Sequence, residues 1–302
     1  MHIAFAFGQV VSFESLSDNT VALDGAVQGP HADPGRRRFS FDHHGGCLRL
    51  VTLATCQQVD VALELGLVVS RDTKVVINDL DADTVLAVWL LRGASQGLDA
   101  RRQEPRVQDL IRRVGLTDSH GPVFPPHPMH AALGPAWGDK TPQSVGMLDS
   151  FLSRLDIWYE TGIDPASPKP RDGAGFALRA GAPIWEPVTT PNGFAPLYAA
   201  GYLAAALCSP AADGTLMWVV GKRSDLVPLA LGPADLSTDR SGDYAPTLLG
   251  ELARREAALG VTSQQNWGGG SSIGGSPRLE GGRGSQLSQD DVLAVLNAHI
   301  IR

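Results

Sequence analysis

At 302 residues, 43% hydrophobic and 19% charged, the chain has the balance of a folded protein of two ordinary domains and not of a disordered one. Its net charge of −7 is spread evenly, 13 basic to 17 acidic residues over 1–150 and 12 to 15 over the rest, which excludes a basic nucleic-acid-binding module in either half. Three cysteines (Cys47, Cys56, Cys208) form no CxxC pair and suit a reducing cytoplasm, the start MHIAFAFGQV lacks the basic region of a secretory leader, and no run reaches the ~18 apolar residues of a membrane span.

Taken in chain order, HIAFAF (2–7), TVALDG (20–25) and FSFDHH (39–44) read as strands. LVTLATCQQVDVALELGL (50–67) has helical spacing. TKVVINDLDAD (73–83) is a strand running into acids, and TVLAVWLLRGA continues as a helix. VQDLIRRVGL (107–116) is a helix or a helix running into a strand, and SVGMLDSFLSRLDIWYETG (144–162) is an amphipathic helix. Such alternation predicts an α/β domain with a mainly parallel sheet over 1–162. Pro/Gly punctuation over 163–196 predicts a connection, and 197–302 a smaller α+β domain. In that domain the apolar runs LYAAGYLAAALC, GTLMWVVGKR and LVPLALG follow one another. A helix over 245–260 has a glycine stop, and a final helix has Ser288 as its N-cap.

Four predicted strand ends carry acids or imidazoles: Asp24, then Asp42-His43-His44, then Asp79, Asp81 and Asp83, then Asp118 with His120 in GLTDSHG. Each alone is an ordinary polar turn. Together they point to one crevice, because ligands of an open parallel sheet bind outside the carboxyl ends of its strands. So many carboxylates need a counter-charge. Hard oxygens with one or two imidazoles suit Mn²⁺ or Mg²⁺, and two such ions clamp a phosphate and activate a water.

FDHHGG with NDLDADTVLAVWLL resembles the DHH phosphoesterase superfamily, which includes single-strand exonucleases, oligoribonucleases and manganese pyrophosphatases. ALDGAV…RRRFSFDHHGG looks like its second motif running into its third, NDLDAD like its first in the exonuclease form, and GLTDSHG like its fourth. The similarity covers roughly residues 20–120, in the order second, third, first, fourth, where the family begins with the first. It implies that Asp79 and Asp81 hold one metal, that Asp83, His43 and Asp118 hold another, and that Asp24 bridges them. His44 faces the phosphate, Asp42 orients an imidazole, and His120 is at most a leaving-group acid, otherwise a loop histidine.

NWGGGSSIGGSPR (266–278) is the second informative stretch, since consecutive glycines let backbone N–H groups approach an anion. The family's small C-terminal domain carries a glycine-triplet motif over the substrate phosphate, and this stretch is similar to it, with Ser271 where the family often has histidine. The substrate-binding candidates are therefore Gly268, Gly269, Gly270, Ser271, Ser272 and Arg278; the bland reading is a flexible hinge. Arg36-Arg37-Arg38 reads as a solvated loop, and Trp89 and Trp218 as core.

The expectation is a dinuclear Mn²⁺ (or Mg²⁺) phosphohydrolase. It cleaves a phosphodiester, a nucleotide or short oligonucleotide, by metal-bound hydroxide. A phosphoanhydride or phosphomonoester hydrolase on the same site, and a non-catalytic nucleotide-binding protein on the same scaffold, are the alternatives.

Overall fold

A computed structural model describes residues 1–135, 143–164, 173–190, 193–211, 213–232, 247–262, 266–269, 272–277, 279 and 283–301. The chain divides into two compact units, Met1–Ser119 with Phe124–Pro168 and His120–Val123 with Lys169–Arg302. Both mix helix and sheet, and no helix among the described residues is long and apolar enough to cross a membrane.

The first unit runs β1 (His2–Phe5), β2 (Thr20–Leu23), β3 (His31–Asp33), β4 (Arg38–Phe41), α1 (Thr55–Glu64), β5 (Lys74–Ile77), α2 (Ala82–Ser95), α3 (Pro105–His120) and α4 (Val145–Thr161). The strand order is β1-β5-β2-β4-β3. Every pairing is parallel except that of β3 with β4. Alternation within the strands divides their residues between two faces. Val21, Leu23, Val75 and Ile77 pack with the apolar stripes of the four helices. Ala22 and Val76 pack instead with Leu16, Ala26 and Val27 from the segments flanking β2. The three acid-bearing strands β5, β2 and β4 are therefore consecutive neighbours in the sheet, whatever their order in the chain. Trp89 is core, with its Nε1 donating to Asp156. Arg38 departs from the solvated-loop reading: it is buried in β4, paired with Asp33 at 2.7 Å and lying over the Phe13 ring.

One expectation fails here. GLTDSHG does not end a fourth strand, because α3 continues through Asp118 and His120. Gly115 does not break that helix; a Cβ there would meet the Gln57 side chain of α1 at 2.4 Å, so the glycine permits close helix packing.

The second unit contains β6 (Gly173–Leu178), β7 (Glu186–Thr190), α5 (Phe194–Ala199), β8 (Ala204–Pro210), β9 (Leu216–Lys222), α6 (Leu248–Ala258), β10 (Gly268–Gly269), β11 (Ile273–Gly275) and α7 (Gln289–Ala298). Its six strands form an antiparallel sheet in the order β10-β11-β9-β8-β6-β7. Phe176, Trp218 and Val220 face α6 and α7, while Ala177, Ala205 and Leu207 face α5. Residues 163–196 therefore hold two sheet strands where the punctuation predicts a connection. LVPLALG forms no strand; Val227, Leu229 and Leu231 are buried, and the carbonyls of Ala230 and Leu231 accept from the first residues of α6.

Candidate metal centre

The site begins with the turn after β2. Asp24 and Gly25 both take left-handed backbone, φ 49° and 75°. Asp tolerates that region better than most residues. The turn aims the Gly25 N–H at Asp42 Oδ1, 3.0 Å away. Asp42 Oδ2 takes a second backbone donor, Gly29 N at 2.7 Å, and Oδ1 also accepts from His44 N and lies 3.0 Å from His44 Nδ1. These contacts outweigh burial and hold the Asp42 carboxyl low. The ends of β2 and β4 are thus tied together through one buried carboxylate.

His43, fully buried, is the hub. Its Nε2 lies 2.7 Å from Asp118 Oδ2, 3.6 Å from Asp24 Oδ1 and 3.8 Å from Asp83 Oδ2. His44 is half-exposed, and its Nδ1 is 3.4 Å from Asp24 Oδ1. Two triads, Asp24–His43–His44 and His43–Asp83–Asp118, bring their ligand atoms within 4.8 Å of one another. They draw on the ends of β2 and β4, the first turn of α2 and the last turn of α3.

Each carboxylate is held by its own donors. Asp24 accepts from Thr55 Oγ1 at 3.1 Å and from Thr84 Oγ1 at 3.0 Å. Asp83 accepts the backbone N–H groups of Thr55 and Cys56, at 2.7 and 2.8 Å, and so caps the N-terminus of α1, whose own N-cap residue, Ala54, has no side chain that can accept. A carboxylate oxygen has two lone pairs, so each of these oxygens keeps one acceptor site.

The electrostatics are those of crowded acids. Burial, with the charges of Asp118 and Asp24, pushes Asp83 up to about 7. Burial and the charges of Asp24, Asp118 and Asp83 push Asp81 well above the carboxylate range. Burial opposes a charge on His43, but Asp118 and Asp24 outweigh it and hold the imidazole up to about 10. Asp24 is kept low despite its burial, chiefly by His43 and His44. Asp42 raises His44.

Asp24, His43, Asp83 and Asp118 therefore meet, and His44 and Asp42 adjoin them. Asp79 and Asp81 belong to neither triad. Asp81 caps α2 by accepting from Thr84 N at 2.8 Å. Asp79 is exposed and bonded to Gln143. His120, the last residue of α3, is in neither triad. Gly268 and Gly269 form β10 and pair with Gly275 and Gly274, and the Ser272 carbonyl accepts from Lys222 N. A Cβ at Gly269 would meet Gly274 Cα at 2.3 Å, so the glycines there serve a close hairpin. Gly270, Ser271 and Arg278 lie outside the described residues.

The sequence reading missed four residues. Thr55 and Thr84 support Asp24; Arg49 reaches both imidazoles; and His130, kept low by burial, feels Asp118. Thr84 follows the last acid of NDLDAD directly, which was a usable signal; the others have none.

A divalent cation fits this donor set. Asp118 Oδ2 is buried, and its one close polar neighbour among the described residues is His43 Nε2 at 2.7 Å, a contact that falls short of a regular hydrogen bond. Hard oxygens and imidazole nitrogen gather in two triads that share His43, so that three carboxylates face a single buried imidazole. No protein-family model, no curated protein and no solved structure matches the chain.

Proposed function

We propose that the chain is a metal-dependent phosphoesterase of the DHH type, acting on a phosphodiester such as a nucleotide or short oligonucleotide. One observation carries the reading: Asp24, His43, Asp83 and Asp118, from four segments far apart in sequence, bring ligand atoms together at the carboxyl edge of a parallel sheet. That edge is where an α/β sheet binds its ligand. The order of the motifs along the chain is no obstacle, because adjacency of β5, β2 and β4 depends on sheet order alone.

In this reading Asp24, His43, Asp83 and Asp118 hold Mn²⁺ or Mg²⁺, with Asp81 as the nearest candidate for a second ion. Bound there, such ions supply Lewis-acid polarisation of a phosphate and an activated water. Thr55 and Thr84 fix the Asp24 carboxylate. Asp42 accepts from His44 Nδ1 and favours the imidazolium, whose Nε2–H can then donate to a phosphoryl oxygen.

The test is a Mn²⁺ titration followed by turnover of bis(p-nitrophenyl) phosphate and a dinucleotide. Binding of Mn²⁺ and Mn²⁺-dependent cleavage are expected, both lost in Asp24→Asn and His43→Ala. Cleavage of pyrophosphate alone would replace the diester substrate, and Mn²⁺ binding with no turnover of any phosphate ester would sink the enzymatic reading.

A further inference from the structure

We infer that Arg49 is the phosphate-binding residue of this site, gripping a non-bridging oxygen beside His44; the inference rests on the phosphoesterase reading. Arg49 lies five residues beyond His44. Its Nη2 sits 3.2 Å from His44 Nε2, 3.5 Å from His43 Nε2 and 3.9 Å from Asp118 Oδ2. The guanidinium therefore stands directly over the acid–imidazole cluster.

Arg49 is not held as the structural arginines of this unit are. Arg102 is bound by Asp60, Glu64 and Asp99, and Arg38 by Asp33 at 2.7 Å. Among the described residues Arg49 has one carboxylate neighbour, at 3.9 Å, beyond hydrogen-bond reach. Its Nε is buried without a partner among the described residues. A guanidinium carries five donors, and most of these are uncommitted.

His44 shares the direction. With Nδ1 engaged by Asp42, its Nε2 and Arg49 Nη2 present adjacent polar ends at one place. An anion placed between Arg49 and divalent ions would be attracted by both. Phosphate is that anion in a phosphoesterase, and the planar guanidinium fork matches two of its oxygens. Lysine, a point charge, cannot reproduce the fork.

The experiment is calorimetric titration of inorganic phosphate into wild type, Arg49→Ala and Arg49→Lys, each with and without Mn²⁺, with Mn²⁺ stoichiometry measured separately. Phosphate affinity is expected to fall about 10- to 100-fold in Arg49→Ala, the loss of a charge-assisted hydrogen bond. Arg49→Lys should fall between, and also covers the case of an Ala variant that fails to fold. Mn²⁺ stoichiometry should not change. Equal phosphate affinity in wild type and Arg49→Ala, or no phosphate binding by wild type, overturns the role. Phosphate binding that depends on Arg49 without any Mn²⁺ uptake upholds Arg49 and rejects the metal centre instead.

Discussion

Asp42 Oδ1 lies 3.0 Å from His44 Nδ1, and the same carboxylate holds the turn after β2 through Gly25 N and Gly29 N. One side chain thus sets both the loop and the orientation of the half-exposed imidazole. His44→Ala removes the outward Nε2 and leaves His43, Asp83 and Asp118 in place. Turnover should fall about 10²–10³-fold, the scale of one electrostatic contact to developing charge, with Mn²⁺ stoichiometry near that of wild type. Turnover equal to wild type would reject a phosphate-facing His44.

Thr84 is fully buried, and its hydroxyl donates to Asp24 Oδ2 at 3.0 Å. Thr84→Val keeps the shape and deletes that donor. Groups that orient metal ligands commonly matter about 10- to 100-fold in affinity, and a loss of that size is expected for Mn²⁺ by titration calorimetry. Unchanged Mn²⁺ affinity would mean that Asp24 needs no such support, or binds no metal.

The sheet edge was legible because β2, β4 and β5 each pair an apolar run with a terminal acid. Asp118 differs from the expectation because a short apolar stretch before Thr-Asp-Ser-His-Gly fits a helix end as well as a strand end, and α3 runs on through it to His120. The strands β6 and β7 were hidden by composition. Pro187 is tolerated because β7 is the outer strand of its sheet and pairs only with β6. Gly175 marks a close approach, since a Cβ there would lie 1.9 Å from the Ala206 carbonyl oxygen. Arg49 carries no local signal at all, as a single cation in an exposed apolar loop beside Leu48, Leu50 and Val51.

Glu256 is a fully buried carboxylate in the second unit. It accepts from Trp267 Nε1 at 3.0 Å and Ser285 Oγ at 2.6 Å, and from Gln286 N, and so fastens two glycine-rich segments to α6. Glu256→Gln turns one acceptor into a donor facing a donor. A loss of about 1–3 kcal/mol in stability is expected from thermal or urea unfolding, the cost of an unsatisfied buried group. Mn²⁺ uptake, which is proposed for residues of the first unit, should persist at temperatures where the variant is folded. An unaltered unfolding midpoint would show that the carboxylate is not the fastening.

The pH dependence of the metal-free protein follows from the raised groups of the cluster, Asp83 and His43 together with Asp81 and His44, which shift in the same sense. Asp83 goes from an ordinary 3.8 to about 7, and His43 from 6.5 to about 10. Each keeps its proton in the folded chain at pH values where the unfolded chain has lost it. The folded state then binds more protons, so stability falls as pH rises. Asp83 acts between 3.8 and about 7, and His43 between 6.5 and about 10. Asp24 and Asp42 act in the opposite sense, since their carboxyls are held low, and their contribution is lost only as pH falls below 3.8. Unfolding midpoints in EDTA should therefore decline from about pH 4 to pH 10. Mn²⁺ held by these residues would displace their protons, so its affinity should rise with pH and its presence should flatten the decline. Asp83→Asn should make the lower part of the slope shallower, with Asp81 still contributing there, and keep the part above pH 7. A profile in EDTA that is level from pH 4 to 9 would mean that the acids and imidazole do not share one buried cluster in solution.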